Sequence, residues 1–348
     1  MSHFDHRRSL SLAALLMGLL ACSPPNAPLQ WHIPCSVRTL DVLTPLHIRY
    51  AGSDGWVGQT LDGGKTWEHL QWTAPDGSQP SFRASGASRG HWHAVGIASP
   101  SWMARTPLKG LQPEWTFHDT ASSMFLDAMT WIDGETGVVL GDDTRGCMTL
   151  MRSIDEGASW DQVSCADLPK PRLGEAAFAA SNGNLCAKGD TVWAFTGGAS
   201  SRVFRSLDRG ASWNAYEMPI VQGGNMTGAF SATFADARLG WAMGGDWSRP
   251  DDNYGNLVQT LDGGETWSLL AEGEGPGYRS SIVHHPKDCR VLVASGFAGL
   301  ECSTDSGVTW QTISDSGSYV ARFAPDGLTL WLAGNESLEK RSWPAEAK

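Results

Sequence analysis

Six charged side chains recur at matching places in this 348-residue chain, and they are the groups with the most chemistry to offer. Seven strand-like segments open Ser36-Val-Arg38, Ser81-Phe-Arg83, Phe125-Leu-Asp127, Gly174-Glu175-Ala, Met226-Thr227-Gly228, Gly277-Tyr278-Arg279 and Tyr319-Val-Ala-Arg322. Guanidinium groups hold carboxylates through paired N–H donors, so Arg38, Arg83, Arg279 and Arg322 suit a ligand or partner with acidic groups. Asp127 and Glu175 suit acid and base roles at a glycosidic bond, provided their carboxyls stand roughly 5–9.5 Å apart. The same residues could instead form a ring of ion pairs that plugs a channel.

One loop is unusually long, polar and aromatic: Gly245-Asp246-Trp247-Ser-Arg249-Pro250-Asp251-Asp252-Asn253-Tyr254-Gly255-Asn256. Long loops in compact domains are commonly functional, so Asp246, Trp247, Asp251, Asp252, Asn253 and Tyr254 join the candidate site. Its oxygen-rich composition could hold calcium, but the spacing matches no EF-hand, and neither a metal nor a cofactor is assigned. A shorter companion, Gly141-Asp142-Asp143-Thr144-Arg145-Gly146, adds two carboxylates. His91 and His93 alternate on one strand without a third ligand, and His284-His285 point to opposite sides of theirs. Neither a Gly-rich phosphate loop nor a Ser nucleophile elbow is present.

The elements that must position these residues announce themselves through five copies of one phrase, [S/T]-x-D-x-G-x-[T/S]-W. The copies run 60–67, 153–160, 206–213, 260–267 and 303–310. Within each, a short carboxylate (Asp62, Asp155, Asp208, Asp262 or Asp305) can accept backbone N–H bonds inside a tight turn, while Gly supplies a positive φ. These five Asp residues therefore read as structural. The pattern is that of the Asp-box, which resembles the hairpin of sialidase-like β-propellers. The wide gap between the first two copies holds a degenerate unit, Met103-Ala-Arg105-Thr106 through Glu114-Trp115-Thr-Phe117. A further unit follows the last copy: Leu330-Trp331-Leu-Ala-Gly334 parallels Gly240-Trp241-Ala-Met-Gly244, and Leu338–Trp343 would be its third strand. Leu29-Gln-Trp31-His-Ile33 has the alternation of an outer strand. The expected fold is thus all-β, a single seven-bladed β-propeller of four-stranded antiparallel blades, with the ring closed by the N-terminal strand.

The N-terminus reads as an export signal. Arg7 and Arg8 precede an apolar run from Leu10 to Ala21, too short to span a bilayer, and Leu19-Leu20-Ala21-Cys22 resembles a bacterial lipobox. The expected division is a lipoprotein signal peptide over 1–21, a tether over 22–28 lipidated at Cys22, and the propeller over 29–348. Ser23, where Gram-negative lipoproteins kept at the inner membrane carry Asp, points to the periplasmic side of the outer membrane. A net charge of −11 argues against nucleic acid as a partner. The 40 glycines and 17 tryptophans suit many short strands with tight turns and cross-strand aromatic packing. Cysteine usage fits an oxidising compartment: Cys147 and Cys165 lie equally far from the turn centred near Glu156 and are disulfide candidates, as are Cys289 and Cys302.

Nearly the whole mature chain resembles bacterial Asp-box propellers related to the photosystem II stability/assembly factor family. Beyond the boxes, the likeness rests on Phe125-Leu-Asp127-Ala-Met129, Glu175-Ala-Ala-Phe178-Ala-Ala, Arg202-Val-Phe204-Arg205-Ser206, Gly244-Gly-Asp246 with Pro250-Asp-Asp-Asn253, and Gly277-Tyr-Arg279-Ser280. The resemblance implies a monomeric, non-catalytic, membrane-anchored propeller. It would bind a protein or peptide, such as a membrane protein under assembly, through an arginine-rich patch for which Arg38, Arg83, Arg279 and Arg322 are the matching residues. The competing reading is a glycoside hydrolase of sialidase-like fold acting on extracytoplasmic glycans, with Tyr278 or Tyr319 as nucleophile. Against it, the Arg-Ile-Pro phrase of sialidases is absent, and Tyr278 adjoins Arg279, which strand alternation sends to the opposite face.

Overall fold

A computed structural model describes residues 27–343. The segment expected to be a signal peptide and the expected lipidation site, Cys22, lie outside the described residues. All described secondary structure is β except one short 3-10 turn at Cys165–Asp167. Of the tether, only its last two residues are described, and they lead directly into the first strand, Leu29–Val42.

The repeated phrase builds the same turn five times. In the first copy Thr60 Oγ1 donates to Asp62 Oδ1 at 2.8 Å and accepts from the Gly64 amide at 2.9 Å. Asp62 then accepts from the Thr66 amide at 2.9 Å and from its hydroxyl at 2.6 Å. The hydroxyl-to-Asp bond measures 2.6 Å in all five copies. The fifth residue must be Gly because its φ lies between +71° and +94°. These bonds to the ionised carboxylate hold Asp62 and Asp262 down to a pKa of about 2, against desolvation.

The strands hydrogen-bond into six sheets, which corrects the expectation of seven separate four-stranded blades. Four sheets have four strands and two have six. The first six-stranded sheet exists because two strands of 14 residues, Leu29–Val42 and Thr329–Ser342, each pair on both sides. Leu29–His32 lies antiparallel to Ser337–Lys340, while Val37–Val42 pairs with Ile48–Gly52. In the second, Glu175–Ala176 and Gly197–Gly198 are added to the edge of Thr227–Phe234. The innermost strands touch their neighbours in a closed circuit, from Leu29–Val42 through Phe82–Ala87, Leu126–Trp131, Leu185–Lys188, Thr227–Phe234 and Ser281–His285 to Val320–Phe323 and back. The result is an all-β propeller around a central channel.

Tryptophans fill the space between sheets. Trp92, Trp193, Trp241 and Trp331 sit on the second strands and are wholly buried. Cys147 and Cys165 form a disulfide with Cα atoms 5.6 Å apart. Cys289 is a free thiol, so the pairing considered for Cys289 and Cys302 is not made. The register explains it: Cys302 lies opposite Val293, four residues further along the strand than Cys289.

Residues 177–184 do not form an inner strand but cross the channel, and every one of them is buried. A buried backbone needs partners, and here the opposite walls supply them. Arg83 Nη1 donates to Ala179 O at 3.2 Å, and Arg322 Nη2 donates to Ser181 O at 2.9 Å. Ser181 Oγ donates to Ser280 O at 2.5 Å. Asn182 accepts from the Met129 amide and donates to Ser85 O, both at 2.7 Å.

Two substitutions separate the turn from the crossing. Asn182→Ala orphans a buried amide and a buried carbonyl and should cost about 1–3 kcal/mol in urea unfolding. Asp208→Ala, which removes a solvent-side turn acceptor, should cost only about 1 kcal/mol. Equal small effects would mean that the crossing segment is not held by the channel walls.

Candidate functional site

The inner strands carry a shared irregularity where they reach one end of the channel. Registers jump by one residue at Arg38, between Val37 and Thr39; at Arg83, between Phe82 and Ala84; at Asp127, between Leu126 and Ala128; and at Phe230, between Ala229 and Ser231. A bulge leaves one residue unpaired and re-aims its side chain. Here the four bulged residues are three of the six charges and one aromatic.

A cleft of about 430 Å³ opens at this end, and the crossing segment Ala176–Ala180 is its floor. Arg38 and Arg83 stand on one side. The Arg38 guanidinium lies 3.6 Å from the centre of the Tyr319 ring, and its Nε is buried without a hydrogen-bond partner. Among the described residues neither arginine forms an ion pair with a carboxylate. Burial lowers the pKa of both, and Arg38 beside Arg83 lowers the latter further. Arginine nonetheless stays cationic in proteins, so the two charges are held under tension and favour an incoming anion.

The other wall is aromatic. Phe178 stacks on Phe230 at 4.1 Å, Phe230 meets Tyr278 edge-on at 4.8 Å, Tyr278 lies 5.4 Å from Phe297, and Phe297 faces Trp247 at 6.3 Å. This ladder climbs from the buried floor to a rim where Met226, Phe297 and Trp247 are 41%, 41% and 50% exposed. Contiguous exposed apolar surface of this kind marks an interaction site.

Beneath the cleft Asp127 is fully buried, and neither carboxyl oxygen has a hydrogen-bond partner among the described residues. Burial drives its pKa well above the ordinary carboxylate range; nearby Asp142 adds to the rise, and Arg83 opposes it. Asp142 lines the cleft, accepts from the Ala177 amide at 2.8 Å, and is likewise raised by burial.

The structure thus brings Arg38, Arg83, Asp127 and Trp247 together and sends the other candidates elsewhere. Glu175 is consumed by Arg202, with contacts of 2.6 and 3.0 Å, and accepts from Thr196 at 2.6 Å. Its segment is an edge addition, and the true inner strand begins only at Leu185. Arg279 is buried against Glu301 in a two-point ion pair, Nε to Oε2 at 2.6 Å and Nη2 to Oε1. Tyr278 faces the cleft while Arg279 turns away. Arg322 lies past the crossing segment and lines a second cavity. In the long loop, Arg249 bridges Asp246 at 2.9 Å and Asp252 at 3.1 Å. Asn253 Nδ2 donates to Gly275 O at 3.4 Å. Asp251 and Tyr254 are exposed, and Tyr254 borders a separate hollow beside Asp252. No grouping of three or more His, Cys, Asp or Glu that could hold a metal occurs among the described residues.

Sequence reasoning missed the floor and most of the ladder. Glu175-Ala-Ala-Phe-Ala-Ala-Ser-Asn-Gly-Asn184 lacks strand alternation and ends in turn-forming residues, which is the signal that could have exposed the crossing.

Several solved structures share this fold. YCF48 bound to a D1 peptide superposes with a TM-score of 0.65 at 17% identity, covering 94% of this chain and all of that one. YCF48 from Cyanidioschyzon merolae gives 0.63 at 15%, covering 92% of this chain and all of that one. A GH74 xyloglucanase from Xanthomonas campestris gives 0.64 at 14%, covering 91% of this chain but 54% of the enzyme. At such identities the likeness establishes the β-propeller fold alone. No family model matches the sequence, and no curated protein matches it.

The buried carboxyl of Asp127 makes a signed prediction. Its folded pKa is raised, so its contribution to stability is full at acid pH and is lost as pH rises through the folded pKa. Asp127→Asn should therefore gain in melting temperature relative to wild type between about pH 5 and pH 8. A difference that stays flat across that range would show Asp127 to be ordinarily ionised.

Proposed function

We propose that this chain is a non-catalytic binding propeller that captures a peptide or protein segment in the cleft above residues 176–180. The observation that carries the reading is the pairing of two guanidinium groups without ion-pair partners, Arg38 and Arg83, with an aromatic ladder that emerges at Met226, Phe297 and Trp247. An extended peptide offers both matching features, acidic groups for the arginines and apolar side chains for the ladder. Burial, which disfavours the Asp127 anion, limits how far that carboxyl offsets the field of the arginines. The fold shared with YCF48, one of whose structures holds a D1 peptide, supports this reading. So do the repeated turns, which resemble those of Asp-box propellers of the assembly-factor type. With the lipobox at Cys22, the cleft would be presented at a membrane surface on the periplasmic side.

A glycoside hydrolase is the second reading, because Asp127 and Asp142 lie near one another at this cleft and the fold is shared with a xyloglucanase. Its chemistry needs one carboxyl neutral and the other ionised, whereas burial raises both. Tyr278 is also unsuited to act as a nucleophile, since burial raises its phenol and disfavours the phenolate.

The test is fluorescence anisotropy against a library of labelled peptides that combine acidic and aromatic residues. The Arg38→Glu/Arg83→Glu double variant should bind at least about a hundredfold more weakly, since two charge-assisted contacts are lost. Loss of the Arg83 bond to Ala179 O should lower its melting temperature, so Arg38→Glu alone, whose guanidinium lies over the Tyr319 ring in no ion pair among the described residues, should weaken binding at a nearly unchanged melting temperature. Arg279→Ala, which strands buried Glu301, should instead unfold at markedly lower temperature. Failure of every peptide to bind, together with release of reducing sugar from a β-glucan, would replace the binding reading with the hydrolase.

A further inference from the structure

The crossing segment has a second face. Below it, the other part of the channel forms a cavity of about 360 Å³, within the range of sites for small molecules. Two opposite charges line it, Asp41 and Arg322; burial raises the pKa of the Asp41 carboxyl and lowers that of Arg322, and each partly offsets this for the other. They nevertheless make no ion pair among the described residues, and each is anchored from behind with its front left free.

Asp41 Oδ2 accepts from Ser85 Oγ at 2.5 Å and from Trp92 Nε1 at 2.7 Å, whereas Oδ1 has no protein donor among the described residues. Arg322 spends Nη1 on Ala321 O at 2.8 Å and Nη2 on Ser181 O at 2.9 Å, leaving Nε–H and the remaining Nη hydrogens without a protein acceptor. A third polar group is also unpartnered: the indole N–H of Trp131 is buried at the cavity wall without an acceptor. A buried donor left unsatisfied costs free energy that a ligand acceptor would recover.

From this geometry we infer that the lower cavity is a binding site for a small zwitterion of the free amino acid class, its ammonium on Asp41 and its carboxylate on Arg322. A purely anionic ligand would meet the repulsion of Asp41, and a purely cationic one that of Arg322. Only a molecule carrying both charges satisfies both walls, and the cavity volume admits one of amino-acid size. The remaining lining is uncharged: Thr130, Ser231 and Cys186, whose thiol burial raises and keeps neutral. Because residues 177–184 separate this cavity from the upper cleft, the two sites bind different ligands.

The test is isothermal titration of the full chain with each of the free L-amino acids, with acetate and methylammonium as one-ended controls. At least one amino acid should bind with one-to-one stoichiometry, while neither control does. Asp41→Asn and Arg322→Gln should each weaken binding about tenfold or more, as expected for a lost charge-assisted bond. Thr130→Phe, at a partly exposed lining position outside the packed hydrophobic clusters, narrows the cavity and should abolish binding while leaving peptide capture in the upper cleft intact. The inference falls if no amino acid binds better than the one-ended controls, or if binding persists in Thr130→Phe. Should Arg322→Gln fail to fold, the Thr130→Phe result decides.

Discussion

Buried peptide groups must be hydrogen-bonded, and in this propeller that rule acts most sharply where residues 177–184 leave the sheet and pass through the channel. Strand neighbours cannot serve a backbone that has left its sheet, so Arg83 and Arg322 reach in to Ala179 O and Ser181 O, while the Ser181 and Asn182 side chains reach out to the wall carbonyls of Ser280 and Ser85. The channel is consequently divided, and neither end is a pore. Two of the arginines that the sequence offers as ligand clamps thereby hold their own chain as well. Arg83 keeps a guanidinium turned to the cleft while serving Ala179, which makes the floor and the binding wall one mechanical unit.

The bulges solve a related difficulty. A regular inner strand alternates its side chains between the neighbouring sheets and cannot present a charge to the channel mouth without breaking that rhythm. One inserted residue per strand suspends the alternation at Arg38, Arg83, Asp127 and Phe230 and leaves the packing on either side intact. Val37, Phe82, Leu126 and Ala229, which precede the bulged residues, are all buried. The functional geometry is thus a local irregularity imposed four times on an otherwise repetitive scaffold.

How far the sequence could be read follows from which features are local. The five turns were legible because their chemistry is contained within eight residues, down to the hydroxyl on each Asp. The all-β class followed from them. Sheet number was not legible, since it depends on whether strands such as Leu29–Val42 bend between two partners, a matter of long-range pairing. Arg38, Arg83 and Asp127 were found by aligning strand starts, and Trp247 by the unusual length of its loop. The same alignment misplaced Glu175, because the strand it was assumed to begin starts ten residues later. Arg279 was found but misjudged, since its partner Glu301 lies on a different strand. The aromatic ladder escaped because Phe178, Phe230 and Phe297 come from separated stretches with no motif in common.

The pairing of the first described strand with the last carries a consequence for how the molecule comes into being. Gln30 meets Glu339 across 309 residues of chain. Nearly the whole polypeptide must therefore be made before the sheet that joins its two ends can exist. Until then the flank of Leu29–Val42 is an open β edge, able to recruit a foreign strand. A chain made N-terminus first holds that edge bare until Thr329–Ser342 is complete. Protection of the edge should thus come abruptly with the last strand, rather than building up as each sheet is added.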